Sequence, residues 1–196
     1  MNYKTGKKNI FENSEIGGVV AFGSYRFNWL GEINRDLPWI VLSDEGDRLL
    51  LVSEYLLDCV KADNTESWLD EEFINGKDGF RPYFTDGEKA LIEDVFVLDA
   101  SDMEAFFYDD TSRKAELTPW AIRMGCHPYL SSDRRMTGTY WTSTGGADPL
   151  LQATVNYEGQ LYRYGQPRDK GDIAIRPAMW VRRGTVDYSE SWDNRN

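Results

Sequence analysis

Histidine and cysteine are nearly missing from this chain. His127 is the one histidine, and Cys59 and Cys126 are the two cysteines. Two thiols are too few for a zinc site on their own, and a distant pair is not a disulfide framework. The expectation is two free, buried thiols, because an unpaired cysteine packs as a small apolar residue. Cys126 and His127 adjoin, but neighbours on a strand point to opposite faces, and a cysteine nucleophile needs its base within reach in space. Asp44, Glu45 and Asp47 offer oxygen ligands, yet their spacing is not that of a calcium loop, and turns favour aspartate anyway. No catalytic residue, metal or cofactor is assigned.

Positive charge is scarce as well. The chain carries 22 Lys and Arg against 33 Asp and Glu, a net charge of −11. That balance repels phosphate backbones and anionic surfaces, which speaks against a nucleic-acid partner. No apolar run approaches the roughly 20 residues of a membrane span, and Met1 to Lys8 lacks the apolar stretch of a signal peptide. The expectation is therefore no membrane insertion, and a cytoplasmic location for the chain as expressed, with the native compartment left open.

Aromatic residues are abundant: seven Trp, eleven Tyr and nine Phe, 14% of the chain, within a hydrophobic fraction of 41%. This is enough apolar surface to offset the entropy of ordering one domain. The composition divides the chain into a flexible arm (1–15), a single globular domain (16–183) and a polar acidic tail (184–196).

The domain opens with strand patterns. Ile16 to Phe22 reads as a strand ending at Gly23-Ser24. Pro38 to Ser43 and Leu49 to Ser53, joined by the turn at 44–47, read as a hairpin buried on both faces. The middle is helical. Trp68, Leu69, Glu72, Phe73 and Ile74 have helical spacing behind Thr65 or Ser67. Thr85 to Glu88 is a capping box opening a helix to about Glu93. Val95 to Leu98 is a short strand, and Ser101 to Glu104 starts another helix. Thr118-Pro119 puts proline in a first turn, with Gly125 as the stop. The last third is β again: 139–146, 153–165 and 174–181. A turn centred on Glu158-Gly159 sets Val155 opposite Tyr162 and Ala153 opposite Tyr164, with the two tyrosines on one face. Strands, then helices, then strands make the fold class α+β.

Seven segments in this order form a recognisable pattern. They are Ala21-Phe22-Gly23-Ser24-Tyr25, the apolar hairpin, Tyr55 to Cys59, Ser67 to Phe73, Phe84 to Leu98, Tyr140 to Gly145 and Ile175 to Val181. The chain resembles a bacterial family known only as a domain of unknown function, family 6273. That family in turn is similar to the C-type lectin-like superfamily. The resemblance implies small mixed and antiparallel sheets, short helices in the middle, and paired N- and C-terminal strands. One departure stands out: an Arg-Ser-Pro of the family is Thr142-Ser143-Thr144 here.

The resemblance also frames function. It implies a non-catalytic recognition domain whose late loops and aromatics contact a protein or glycan. Two alternatives stay open: an enzyme of the formylglycine-generating lineage, and a structural subunit of a phage or surface assembly. Tyr140, Trp141, Tyr157, Tyr162 and Tyr164, with Arg134, Arg163 and Arg168, are the candidate binding residues, because Tyr, Trp and Arg dominate binding hot spots. Arg176, Trp180 and Trp68 are expected to be structural, Arg176 by tying the last strand to a loop. Trp192-Asp193-Asn194 superficially matches a lectin calcium motif but lies in the tail, without the loop that would complete it.

Overall fold

The computed structural model describes residues 6–12, 14–76 and 83–189. Trp192-Asp193-Asn194 and the outer parts of the arm and tail lie outside the described residues. The strands, in chain order, are β1 (Lys7–Asn9), β2 (Val19–Arg26), β3 (Ile33–Asp44), β4 (Arg48–Ser53), β5 (Tyr55–Leu56), β6 (Asp58–Cys59), β7 (Ile92–Val97), β8 (Glu116–Leu117), β9 (Tyr129–Leu130), β10 (Met136–Thr137), β11 (Tyr140–Gly145), β12 (Leu151–Val155), β13 (Leu161–Pro167), β14 (Ala174–Ile175), β15 (Pro177–Arg182) and β16 (Thr185–Asp187). Short helices occupy the middle, so the class is α+β.

Two five-stranded sheets carry the fold, ordered β2-β3-β4-β15-β7 and β13-β12-β11-β14-β6. A four-stranded sheet, β5-β8-β10-β9, and a two-stranded ribbon, β1-β16, complete it. The middle of the first sheet, β4 and β15, is buried on both faces, as the continuous apolar runs require. Along β4, Leu49 and Leu51 enter one hydrophobic cluster while Leu50 and Val52 enter a second. In β15, Met179 and Val181 join the first cluster and Ala178 the second. Successive side chains point to opposite faces, so the sheet separates the two cores.

The helices are capped as their sequences dictate. Thr85 accepts from the Glu88 N–H while the Glu88 carboxylate accepts from the Thr85 N–H. This helix is shorter than expected, Asp86–Lys89, because strand β7 begins at Ile92. Asp99, rather than Ser101, caps helix Ala100–Phe106. Thr118 accepts from Ala121 N–H with Pro119 in the first turn of helix Pro119–Arg123. The Trp68–Ile74 segment winds as a π-helix, and Asn75 N–H reaches back to the Asp70 carbonyl.

Three expectations are corrected. Cys59 and Cys126 are not free thiols; they form a disulfide, with Cα atoms 5.3 Å apart and a sequence separation of 67. Strand β6 pairs with β14 and brings Cys59 beside Cys126, three residues beyond helix Pro119–Arg123, a proximity that sequence distance conceals. Residues 7–9 and 185–187, assigned to the loose arm and the tail, form the antiparallel β1–β16 ladder. Finally, β2 shares a sheet with β15 but is separated from it by β3 and β4, so the paired terminal strands are β1 and β16.

Candidate functional site

Strand position decides which candidate residues face solvent. β11 runs between β12 and β14, and its first half, Tyr140 to Thr142, is buried. Tyr140 is fully buried, and its hydroxyl donates to the Arg113 carbonyl at 2.7 Å. Burial pushes that phenol above its ordinary range, against the pull of the Arg176 charge. Trp141, on the opposite face, is buried too and donates from Nε1 to the Val60 carbonyl at 2.6 Å. These two aromatics are core, not contact surface, because the sheet is covered on both faces at this point of β11.

β13 is different, since it forms the edge of its sheet. Tyr162 is 46% exposed and Tyr164 70% exposed. Their ring centroids lie 6.5 Å apart with planes inclined by 30°. The expected register is off by one: Tyr162 faces Thr154, and Val155 faces Leu161. Asn156 causes the shift, because its side-chain oxygen accepts from both Glu158 N–H and Gln160 N–H and so widens the turn. A bulge between Thr154 and Gln152 follows, where Gly165 adopts φ +93°. The two tyrosines still stand side by side.

Tyr157 is half-buried and stacks on Tyr129, with centroids 4.5 Å apart and planes 18° from parallel. His127 meets the edge of Tyr129 at 4.5 Å. Sequence reading did not single out Tyr129; the signal was there in His127-Pro128-Tyr129, an aromatic set on a short strand by a proline.

The arginines divide three ways. Arg163 pairs with Glu104 at 2.8 Å across to helix Ala100–Phe106. Arg168 pairs with Asp63 at 2.6 Å and also donates to the Gln152 side chain. Arg134 is exposed and makes no ion pair or side-chain hydrogen bond among the described residues. Arg176 is fully buried: Nε donates to the Ser53 carbonyl at 2.9 Å, and Nη1 to the Arg113 carbonyl at 3.0 Å and the Tyr140 hydroxyl at 3.2 Å. Its fork links the residue before β15 to β4 and to the end of helix Asp110–Arg113, with no carboxylate involved among the described residues. Trp180 is half-buried beneath the Arg48 guanidinium, and Trp68 is buried in a stack on Phe73.

Beside the disulfide lies the most perturbed acid of the interior. Burial pushes the Asp58 carboxyl up to about 6, opposed by hydrogen bonds from Cys59 N–H and Trp120 Nε1 and by the charge of Arg26. In the disulfide neither sulfur is a thiolate, so Cys126 and His127 do not form a nucleophile and base. Among the described residues, no three His, Cys, Asp or Glu side chains converge as a metal site, and no helix is long and apolar enough to cross a membrane. Comparison of the chain with family models, curated proteins and solved structures finds no match.

Proposed function

We propose that this chain is a non-catalytic recognition domain that binds a protein or glycan through aromatics and loops of its C-terminal half. The observation that carries this reading is the exposed Tyr162–Tyr164 pair on edge strand β13. Two adjacent tyrosines held out in water by a sheet edge give rigid, amphipathic contact area at a low entropic cost. The reading differs from the sequence expectation in scope: Tyr140 and Trp141 are withdrawn, and Tyr157 contributes at most an edge. The β1–β16 ribbon, the small sheets and the long connections support a C-type lectin-like affiliation, in line with the ordered motifs. The Cys59–Cys126 bond supports work in an oxidising compartment rather than the cytoplasm, where thiols are kept reduced.

The test is a glycan and peptide array probed with the oxidised chain, followed by affinities for Tyr162→Ala and Tyr164→Ala. Each substitution is expected to weaken the bound ligand about tenfold or more. Stability should stay within about 0.5 kcal/mol, since both side chains are exposed. An array without a ligand, or a ligand indifferent to the double substitution, refutes the reading.

A further inference from the structure

Arg134 occupies a backbone position that its side chain does not suit. It has φ +65°, and every other described residue with positive φ is glycine. It sits in the loop joining β9 to β10, where Arg134 N–H donates to the Ser131 carbonyl and Ser131 N–H to the Arg135 carbonyl, both at 2.9 Å. This is a tight turn followed by a left-handed residue, the position that glycine fills most readily in such hairpins. Nothing local rewards an arginine there. Its neighbours are already satisfied: Lys114 meets Glu158 at 2.7 Å and Ser132 at 3.0 Å, and Arg135 meets Asp133 at 2.7 Å. Arg134 is the surplus cation of the cluster, exposed and with no side-chain partner among the described residues.

The same hairpin also presents apolar surface. Leu130 and Met136 face each other across β9 and β10 and are 65% and 44% exposed. Tyr129, on the stacked pair with Tyr157, lies next to Leu130. β9 is the edge of its sheet, with no strand beyond it among the described residues. Tyr, Met and Arg are the residues enriched at binding interfaces, and here they share one rigid hairpin.

We propose that hairpin 129–137 is a docking site for an extended peptide segment that carries a carboxylate beside an apolar side chain. Arg134 receives the carboxylate, and the Leu130–Met136 pair receives the apolar group. Charge complementarity selects the acid, because the remaining cations of the cluster are neutralised in place. The apolar pair selects a peptide over a glycan, whose hydroxyls would lose water against Leu130 and Met136 without gaining partners. This site is separate from the Tyr162–Tyr164 pair, so either can fail alone.

The experiment uses the full oxidised chain on an array of decapeptides with Asp or Glu flanked at alternate positions by Leu, Ile or Phe. The same peptides with Gln or Lys in place of the acid are the controls. Acidic apolar peptides are expected to bind, more weakly as salt rises. Arg134→Gly should reduce affinity roughly tenfold to a hundredfold and flatten the salt dependence. Arg134→Lys should restore part of the loss, and Leu130→Ser with Met136→Ser should weaken binding independently. Tyr162→Ala should leave it unchanged. Arg134→Gly should melt level with the parent or up to about 4 °C higher, because glycine suits the backbone better. Peptides bound without preference for the acid, no bound peptide at all, unaltered binding by Arg134→Gly, or hairpin-dependent self-association of the chain in place of peptide binding would each overturn the proposal.

Discussion

Asp58 and Arg176 are buried charges with different consequences. Arg176 donates to two carbonyls and a hydroxyl, with Phe107 and Tyr140 rings 5.3 and 5.5 Å from its guanidinium carbon. Asp58 holds its proton more tightly in the fold than in the unfolded chain, because burial outweighs its two hydrogen bonds and the Arg26 charge, while Glu72 adds to the upward shift. The sign follows directly. A carboxyl raised from 3.8 to about 6 leaves the folded state most favoured below the lower value and progressively less so up to the higher one. The shift corresponds to roughly 3 kcal/mol. Asp44, Asp133, Glu158 and Asp187 are lowered instead, chiefly by hydrogen bonds to their carboxylates, and their contribution is lost as pH falls through the acid range. Asp58 therefore works against them between about pH 4 and 6. Denaturant unfolding of the parent and of Asp58→Asn across this window should show the difference in stability moving steadily against the parent as pH rises. A difference independent of pH would mean that Asp58 ionises normally.

The disulfide acts between elements. It joins β6, a strand held by β14, to the residue that ends the turn after helix Pro119–Arg123. Closing a loop with a sequence separation of 67 removes enough unfolded-chain entropy to contribute about 4 kcal/mol. Unfolding the chain with and without a reductant, or as Cys59→Ala with Cys126→Ala, should show a loss of that order. Loss of less than about 1 kcal/mol would show that the core holds these elements together unaided. This bond is also where sequence reading stopped. Short-range rules worked where neighbours in sequence decide: the Thr85–Glu88 capping box, proline in the first turn at Pro119, and the doubly buried run of β4. They failed where distant chain decides. They also failed locally at the β12–β13 hairpin, whose register turned on one Asn156 side chain; at Gly159 a distant group decides, because any side chain there would strike the Asp110 carbonyl. Tyr140 and Trp141 read like Tyr162 and Tyr164 in composition; only the strand order separates a central position from an edge.

At the scale of the whole molecule, the two ends of the described chain hold each other. Lys7 pairs with Asp187, Lys8 with Val186 and Asn9 with Thr185, and Tyr188 N–H donates to the Gly6 carbonyl at 3.1 Å. The ribbon is anchored on both sides. Phe11 is buried against Phe22, 5.5 Å between ring centroids, so the arm enters the first hydrophobic cluster. Arg183 donates to the Phe11 carbonyl and pairs with Asp44 at 2.7 Å. Tyr188 is buried and donates to the Glu88 carboxylate at 2.9 Å, the same oxygen that accepts from Gly23 N–H. Burial, and secondarily the Glu88 charge, raises this phenol far above its ordinary range, so it remains a donor at any physiological pH. One carboxylate thus ties β2, the capped helix and the chain beyond β16 together. Phe11→Ala should remove the apolar anchor and lower stability by about 3–5 kcal/mol, roughly 10 °C in melting temperature for a chain of this size. Hydrogen exchange gives the sharper reading. If the ribbon is part of the cooperative core, amides of β1 and β16 in Phe11→Ala should lose protection together and to the same extent as β2. Loss confined to β1, with an unchanged melting temperature, would make the ribbon a fraying appendage.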